Sequence, residues 1–145
     1  MSKYEVVEKF VSINGEGTKA GQLAVFIRFK GCNLNCKYCD TKWANEQGTP
    51  SQPMTEKEIL DYVLSTGVKN VTLTGGEPLL REGIENVITV LAENNLNIEI
   101  ETNGSVYLDK IRKLHKENVT FTMDYKLSCS GMEAAMNLDN FDILS

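Results

Sequence analysis

Runs with the apolar spacing of a buried strand alternate with runs spaced as amphipathic helices, and that order restricts this chain to a few folds. Leu23-Ala-Val-Phe-Ile-Arg-Phe29 is rich in β-branched and aromatic residues, as a buried strand is. Thr55-Glu-Lys-Glu58 has capping-box spacing, in which a hydroxyl and a carboxylate each satisfy a free N–H at a helix start. It predicts a helix from Glu56 to about Ser65, with Ile59, Leu60, Val63 and Leu64 as its apolar face and Gly67 as a left-handed cap. Asn70 to Thr74 reads as a second strand. A helix from about Arg81 to Glu93 follows, on which Ile84, Val87, Ile88 and Leu91 fall on one side. A third strand from Asn97 to Glu101, a helix from about Tyr107 to Lys116 and a fourth strand from Phe121 to Lys126 continue the series. The acidic stretch from Asn137 ends in Phe141-Asp-Ile-Leu-Ser145, the approach to another element and at most the start of a fifth strand. Alternation of this kind favours parallel βαβ units, whose ligands gather beyond the carboxyl ends of the strands.

The unusual stretches lie at such ends. Cys32-Asn-Leu-Asn-Cys36-Lys-Tyr-Cys39 leaves the first strand and packs three cysteines into one short loop. A structural zinc site wants four ligands, and the remaining candidates are the distant Cys129 and the single histidine, His115. A disulfide framework belongs to short secreted chains, but Met1 to Phe10 has no apolar leader region and no run approaches the ~18 apolar residues of a membrane span. The expected setting is therefore the reducing cytoplasm. Three thiolates suit an iron–sulfur cluster that leaves one iron open to a small molecule.

A net charge of -5 and a pI near 4.9 argue against nucleic-acid or membrane-surface binding, which lean on excess Lys and Arg. Against that background Lys19, Arg28, Lys30, Lys37 and Lys42 form a basic stretch around the cysteines, opposed by Asp40 alone. At 145 residues and 41% hydrophobic content the chain has enough material for one core, so residues 1 to 145 are expected to form a single domain.

Three further stretches admit two readings each. Thr74-Gly75-Gly76-Glu77-Pro78 is either a plain strand-to-helix turn or a backbone that lets a ligand approach closely. Glu101-Thr102-Asn103-Gly104 is a turn suited to positive φ and is equally compatible with a site. Tyr38, between the second and third cysteines, either packs the loop or stacks on a flat heterocycle. His115 reads as a solvated side chain, Cys129 as a free thiol and Trp43 as packing beside the cysteine loop.

Gly31-Cys32-Asn-Leu-Asn-Cys36-Lys-Tyr-Cys39-Asp40 resembles the cluster loop of radical S-adenosylmethionine (radical SAM) enzymes. Phe10 to Gln22, Ala24 to Cys32 and Cys39-Asp40-Thr41 narrow the resemblance to the 7-carboxy-7-deazaguanine synthase family, from Phe10 to about Met132. The resemblance implies a 4Fe-4S cluster on Cys32, Cys36 and Cys39, with S-adenosyl-L-methionine chelating the open iron and yielding a 5′-deoxyadenosyl radical. It implies S-adenosylmethionine contacts from Tyr38, Cys39, Asp40, Gly75, Gly76, Glu77, Thr102, Asn103, Asp124, Tyr125 and Lys126. Ile13, Asn14, Gly15, Arg28 and Thr74 would bind the pterin substrate, Arg28 through its carboxylate. Asn14 stands where glutamine is common in relatives. Thr41 would hold a Mg²⁺ ion through its hydroxyl. The implied reaction contracts 6-carboxy-5,6,7,8-tetrahydropterin to 7-carboxy-7-deazaguanine with loss of ammonia, a carbon–nitrogen lyase step toward queuosine and the modification of tRNA. No side-chain acid or base is implied in it. A flavodoxin or ferredoxin would supply the electron, and the full-length protein would be a homodimer. The implied fold is an α/β partial (β/α) barrel lacking its carboxyl-terminal strands, so the chain is expected to be truncated. Rival readings are a glycyl-radical or ribonucleotide-reductase activating enzyme and a non-catalytic iron–sulfur redox module.

Overall fold

The computed structural model describes residues 2–114 and 116–144. β1 (Tyr4–Ile13), β2 (Leu23–Phe29), β3 (Gln52–Met54), β4 (Asn70–Gly75), β5 (Asn97–Thr102) and β6 (Val119–Met123) form one sheet in the order β3-β1-β2-β4-β5-β6. The four expected strands are the parallel ones, β2, β4, β5 and β6. β1 and β3 are additions that the sequence reading did not anticipate, each antiparallel to its neighbour. β1 mixes charged residues into its run, and only Tyr4 and Val6 of it are buried, so its apolar signal is weak.

The two faces of the parallel sheet have opposite character. Val25, Ile27, Phe29, Val71, Leu73, Ile98 and Ile100 point to one face and share a buried core with α1 (Glu56–Thr66) and α2 (Ile84–Glu93). The alternate residues, among them Phe26, Arg28, Thr72, Thr74, Glu99, Glu101, Thr120 and Thr122, line cavities on the other face. This is the period-2 geometry of a strand, with polarity sorted by side. Phe26 is the apolar exception, and its ring stacks on Phe10 of β1 at 5.2 Å.

Both expected helix faces are found, with local corrections. The Thr55–Glu58 capping box and the left-handed Gly67 cap form as expected, and Ile59 and Val63 are buried, but Leu64 faces solvent. α2 starts at Ile84, because Pro78–Leu80 is a 3-10 turn and Gly83 adopts positive φ ahead of the first helical turn. The third helix shrinks to α3 (Asp109–Arg112). Its start is set by Asn140, whose amide accepts from Leu108 N and donates to the carbonyls of Gly104 and Val106, holding the preceding backbone in a non-helical path. Asn140 belongs to α4 (Asp139–Leu144), so the carboxyl-terminal stretch expected to begin a strand is helical instead. β6 starts two residues early and stops at Met123, short of Asp124-Tyr125-Lys126. His115 lies outside the described residues.

Candidate active site

The carboxyl ends of β2, β4, β5 and β6 open into a cleft of about 490 Å³. β2 delivers the cysteine loop to its rim, and β4 delivers the Gly-Gly turn beside it. Two backbone hydrogen bonds stitch these loops together, Gly76 N to Phe29 O at 3.3 Å and Glu77 N to Gly31 O at 3.0 Å. A Cβ on Gly75 would lie 2.3 Å from Phe29 O, and one on Gly76 would lie 2.3 Å from both Gly31 O and Asn45 Oδ1. Glycine is what lets the two backbones touch, and both glycines also line the cleft.

Cys32, Cys36 and Cys39 all line the cleft, with Cys36 buried and the other two half-buried. All are free thiols, as is the exposed Cys129. Cys32 Sγ accepts from Leu34 N at 3.4 Å and lies 3.6 Å from Asn103 Nδ2; burial raises its thiol pKa above the usual value. Cys39 Sγ lies 3.7 Å from Thr41 Oγ1. Among the described residues no three Cys, His, Asp or Glu side chains converge on a point fit for one metal ion. A cluster takes each thiolate on a separate iron, so three free thiols on one loop at the cleft supply the donor set for three of its corners.

Glu77 is fully buried beneath the rim instead of lining the cleft. Its carboxylate accepts from Leu79 N at 3.1 Å, Thr102 Oγ1 at 3.0 Å and Asn103 N at 2.7 Å, which ties the ends of β4 and β5 together. Burial raises its pKa, and those donors together with Lys126 pull it back. Lys126 pairs with Asp124 and sits 6.0 Å from the Tyr38 ring centroid, so these three cleft residues form one group. Tyr125 points elsewhere, donating to Glu133 Oε1 at 3.2 Å.

Arg28 lines the cleft floor, its Nε donating to Glu8 Oε2 at 3.0 Å. Gly15 and Thr74 line the cleft as well. Ile13 is 63% exposed and outside the cleft lining. Asn14 is buried: its Nδ2 donates to Glu99 Oε2 at 2.9 Å and its Oδ1 accepts from Thr72 Oγ1 at 3.2 Å. With Thr72, Glu99 and Thr120 it lines a second cavity of about 130 Å³, toward the strands' amino-terminal ends. The basic stretch also disperses. Lys19 lines that far cavity, and Lys30 donates to the carbonyls of Gln47 and Thr49, which leaves Lys37 and Lys42 exposed near the cysteines. Trp43, in the 3-10 turn after the loop, is 43% exposed.

Sequence reasoning gave no role to Glu16, Phe26, Asn45 and Thr122, and named Glu101 only within its turn; all five also line the cleft. A signal was present. Strands of a parallel sheet covered on both faces read as continuous apolar runs, whereas Thr72/Thr74, Glu99/Glu101 and Thr120/Thr122 interrupt theirs at every second residue. Burial raises the Glu101 pKa, as do Glu16 and Glu99, while Thr74 and Arg28 lower it.

Free thiols on a loop above a polar cleft, at the carboxyl ends of parallel strands, define an α/β protein with its site at the strand ends. A family model described as the Radical SAM superfamily matches residues 26–126, and the chain belongs to that superfamily. It is 62% identical over 143 residues to 7-carboxy-7-deazaguanine synthase of Clostridium acetobutylicum, covering 98% of this chain and 64% of that protein. The synthase of Chlorobaculum tepidum is 36% identical over 127 residues, covering 88% of this chain and 54% of that one. The crystal structure of QueE from Escherichia coli superposes with a TM-score of 0.63 at 28% identity, covering 71% of this chain and 54% of that chain. The chain thus spans less than two thirds of the length of each of these proteins.

Proposed function

We propose that this chain acts as a 7-carboxy-7-deazaguanine synthase, which converts 6-carboxy-5,6,7,8-tetrahydropterin to 7-carboxy-7-deazaguanine with loss of ammonia. The observation that carries the reading is a single cleft that gathers the cysteine triad, Arg28, Thr74 and the Gly-Gly turn. Cys32, Cys36 and Cys39 would hold a 4Fe-4S cluster, which would supply one-electron reduction of S-adenosylmethionine and so the hydrogen-abstracting chemistry. The electron comes from a one-electron donor protein of the flavodoxin or ferredoxin class.

The chain's own residues bind, orient and shield. Asn45 Oδ1 is buried without a hydrogen-bond partner among the described residues, and it sits over Gly76 at the cleft wall. An ammonium group of a ligand lying against the Gly-Gly turn, such as the methionyl end of S-adenosylmethionine, would satisfy it. Tyr38, with Lys126 nearby, offers a face for a flat ring. Arg28, its Nε anchored by Glu8, presents the rest of its guanidinium to a substrate carboxylate. Thr41, beside Cys39, offers a hard oxygen for Mg²⁺, which shares its remaining positions with water and substrate. Fixed geometry and exclusion of water matter more here than a strong base, because a carbon radical reacts with whatever lies near it.

The test is anaerobic incubation of the iron-reconstituted, reduced chain with S-adenosylmethionine and the pterin, followed by mass spectrometry. 7-Carboxy-7-deazaguanine is the expected product. Cleavage of S-adenosylmethionine without any deazaguanine refutes the assignment in favour of a different radical reaction.

A further inference from the structure

Asn103, Asn33 and Ser105 form a closed ring of hydrogen bonds beside Cys32. Asn103 Nδ2 donates to Asn33 Oδ1 at 3.2 Å, Asn33 Nδ2 donates to Ser105 Oγ at 2.9 Å, and Ser105 Oγ donates to Asn103 Oδ1 at 2.6 Å. Ser105 N donates to the same Asn103 oxygen at 2.9 Å. With Oδ1 taking two donors, the orientation of the Asn103 amide is fixed by its partners, and a flip would set N–H against N–H. An amide nitrogen carries two hydrogens. One goes to Asn33, and the other faces Cys32 Sγ at 3.6 Å. The backbone of Asn103 is held from the far side by Glu77, through its 2.7 Å bond to Asn103 N.

We propose that this ring is a positioning device that delivers an N–H···S hydrogen bond to the Cys32 thiolate and thereby raises the reduction potential of the cluster bound there. The inference rests on the cluster reading above and goes beyond it by assigning Asn103, Asn33 and Ser105 to electronic tuning. The physical basis is charge. Reduction adds an electron to a cluster whose thiolates are already negative, and a donor aimed at a sulfur stabilises the more negative form. Cys32 accepts two N–H groups, from Leu34 N and Asn103 Nδ2, whereas Cys39 Sγ meets a hydroxyl. The amide ring acts at the Cys32 corner of the triad.

Iron and sulfide are quantified first in the reconstituted wild-type chain, and the reduced cluster is then titrated by electron paramagnetic resonance without S-adenosylmethionine. Asn103→Leu keeps the volume and removes the donor. It is expected to shift the oxidised-to-reduced equilibrium about tenfold toward the oxidised form, a potential about 59 mV lower for one electron. Ser105→Ala leaves Asn103 in place but frees its amide, and it is expected to lower the potential by less. Asn103→Gln, which retains an amide donor, recovers part of the loss. Wild-type potential in Ser105→Ala and in a fully loaded Asn103→Leu protein overturns the proposal. Should Asn103→Leu fail to take up iron, Ser105→Ala decides alone. A wild-type chain that binds no iron refutes the underlying cluster reading instead, and this one falls with it.

Discussion

Replacing Glu77 by alanine isolates the brace beneath the cleft. The substitution removes the acceptor of two backbone N–H groups, of Leu79 and Asn103, and of the Thr102 hydroxyl, the bonds from Asn103 and Thr102 being buried and that from Leu79 partly buried. The hydroxyl can rotate toward another partner, but the two N–H groups are fixed. Each buried donor left without a partner costs about 1–3 kcal/mol, so the gross loss is roughly 2–6 kcal/mol. Opposing this, a carboxylate whose pKa burial raises is itself under-solvated, and its removal returns part of that sum. The expected net loss is about 2–4 kcal/mol, a large part of the ~5–15 kcal/mol that typically holds a domain together. In urea, with a mid-range slope of about 2 kcal/mol per molar, the unfolding midpoint moves down by about 1–2 M. Glu77→Gln keeps one oxygen for Leu79 and Thr102 and turns an NH2 toward Asn103 N, so it falls between wild type and alanine. An alanine variant as stable as wild type, or more stable than the glutamine variant, refutes the brace and shows that burying the charge outweighs its hydrogen bonds.

Gly76→Ala places a methyl 2.3 Å from Gly31 O and is expected to destabilise the chain by about 1–3 kcal/mol and to lower its iron content, read by thermal melting and metal analysis. Glu101 ionises above its unfolded value of about 4.3, so the folded form holds its proton longer and stability falls as pH rises from that value through the raised folded one. Glu101→Gln is expected to flatten that segment of the stability–pH curve, and a curve that superposes on wild type counts against the burial of Glu101. Arg28→Lys keeps a cation but loses the Nε bond to Glu8 and the planar fork; it is expected to weaken pterin binding about tenfold to a hundredfold, measured by titration calorimetry.

The parts of this molecule that a sequence shows best are those set by local spacing. Ile84, Val87, Ile88 and Leu91 lie together in the core because a helix puts them on one side, and the Thr55 cap forms because its partner is three residues away. β1 escaped because a strand bordered by antiparallel partners needs only a few buried side chains, Tyr4 and Val6 here. The helix expected from 107 starts late for a long-range reason, since Asn140, more than thirty residues from Leu108, bonds Leu108 N and the carbonyls of Gly104 and Val106 just before it. At the site, the cysteine loop and the Gly-Gly turn were legible as unusual residue clusters. The roles of Glu77 and Asn14 were not, because an acid or amide that bonds a distant strand looks identical in sequence to one that meets a ligand.

The sorting of the parallel strands into an apolar side and a polar side separates adhesion from chemistry. The contacts that hold the sheet to its helices come from Val, Ile, Leu and Phe on one surface, and the residues facing the cleft alternate with them on the other. A change at Thr74, Glu101 or Thr122 therefore alters what the hollow recognises while the glue behind it stays in place. Such a sheet can be re-lined for a new guest without being rebuilt.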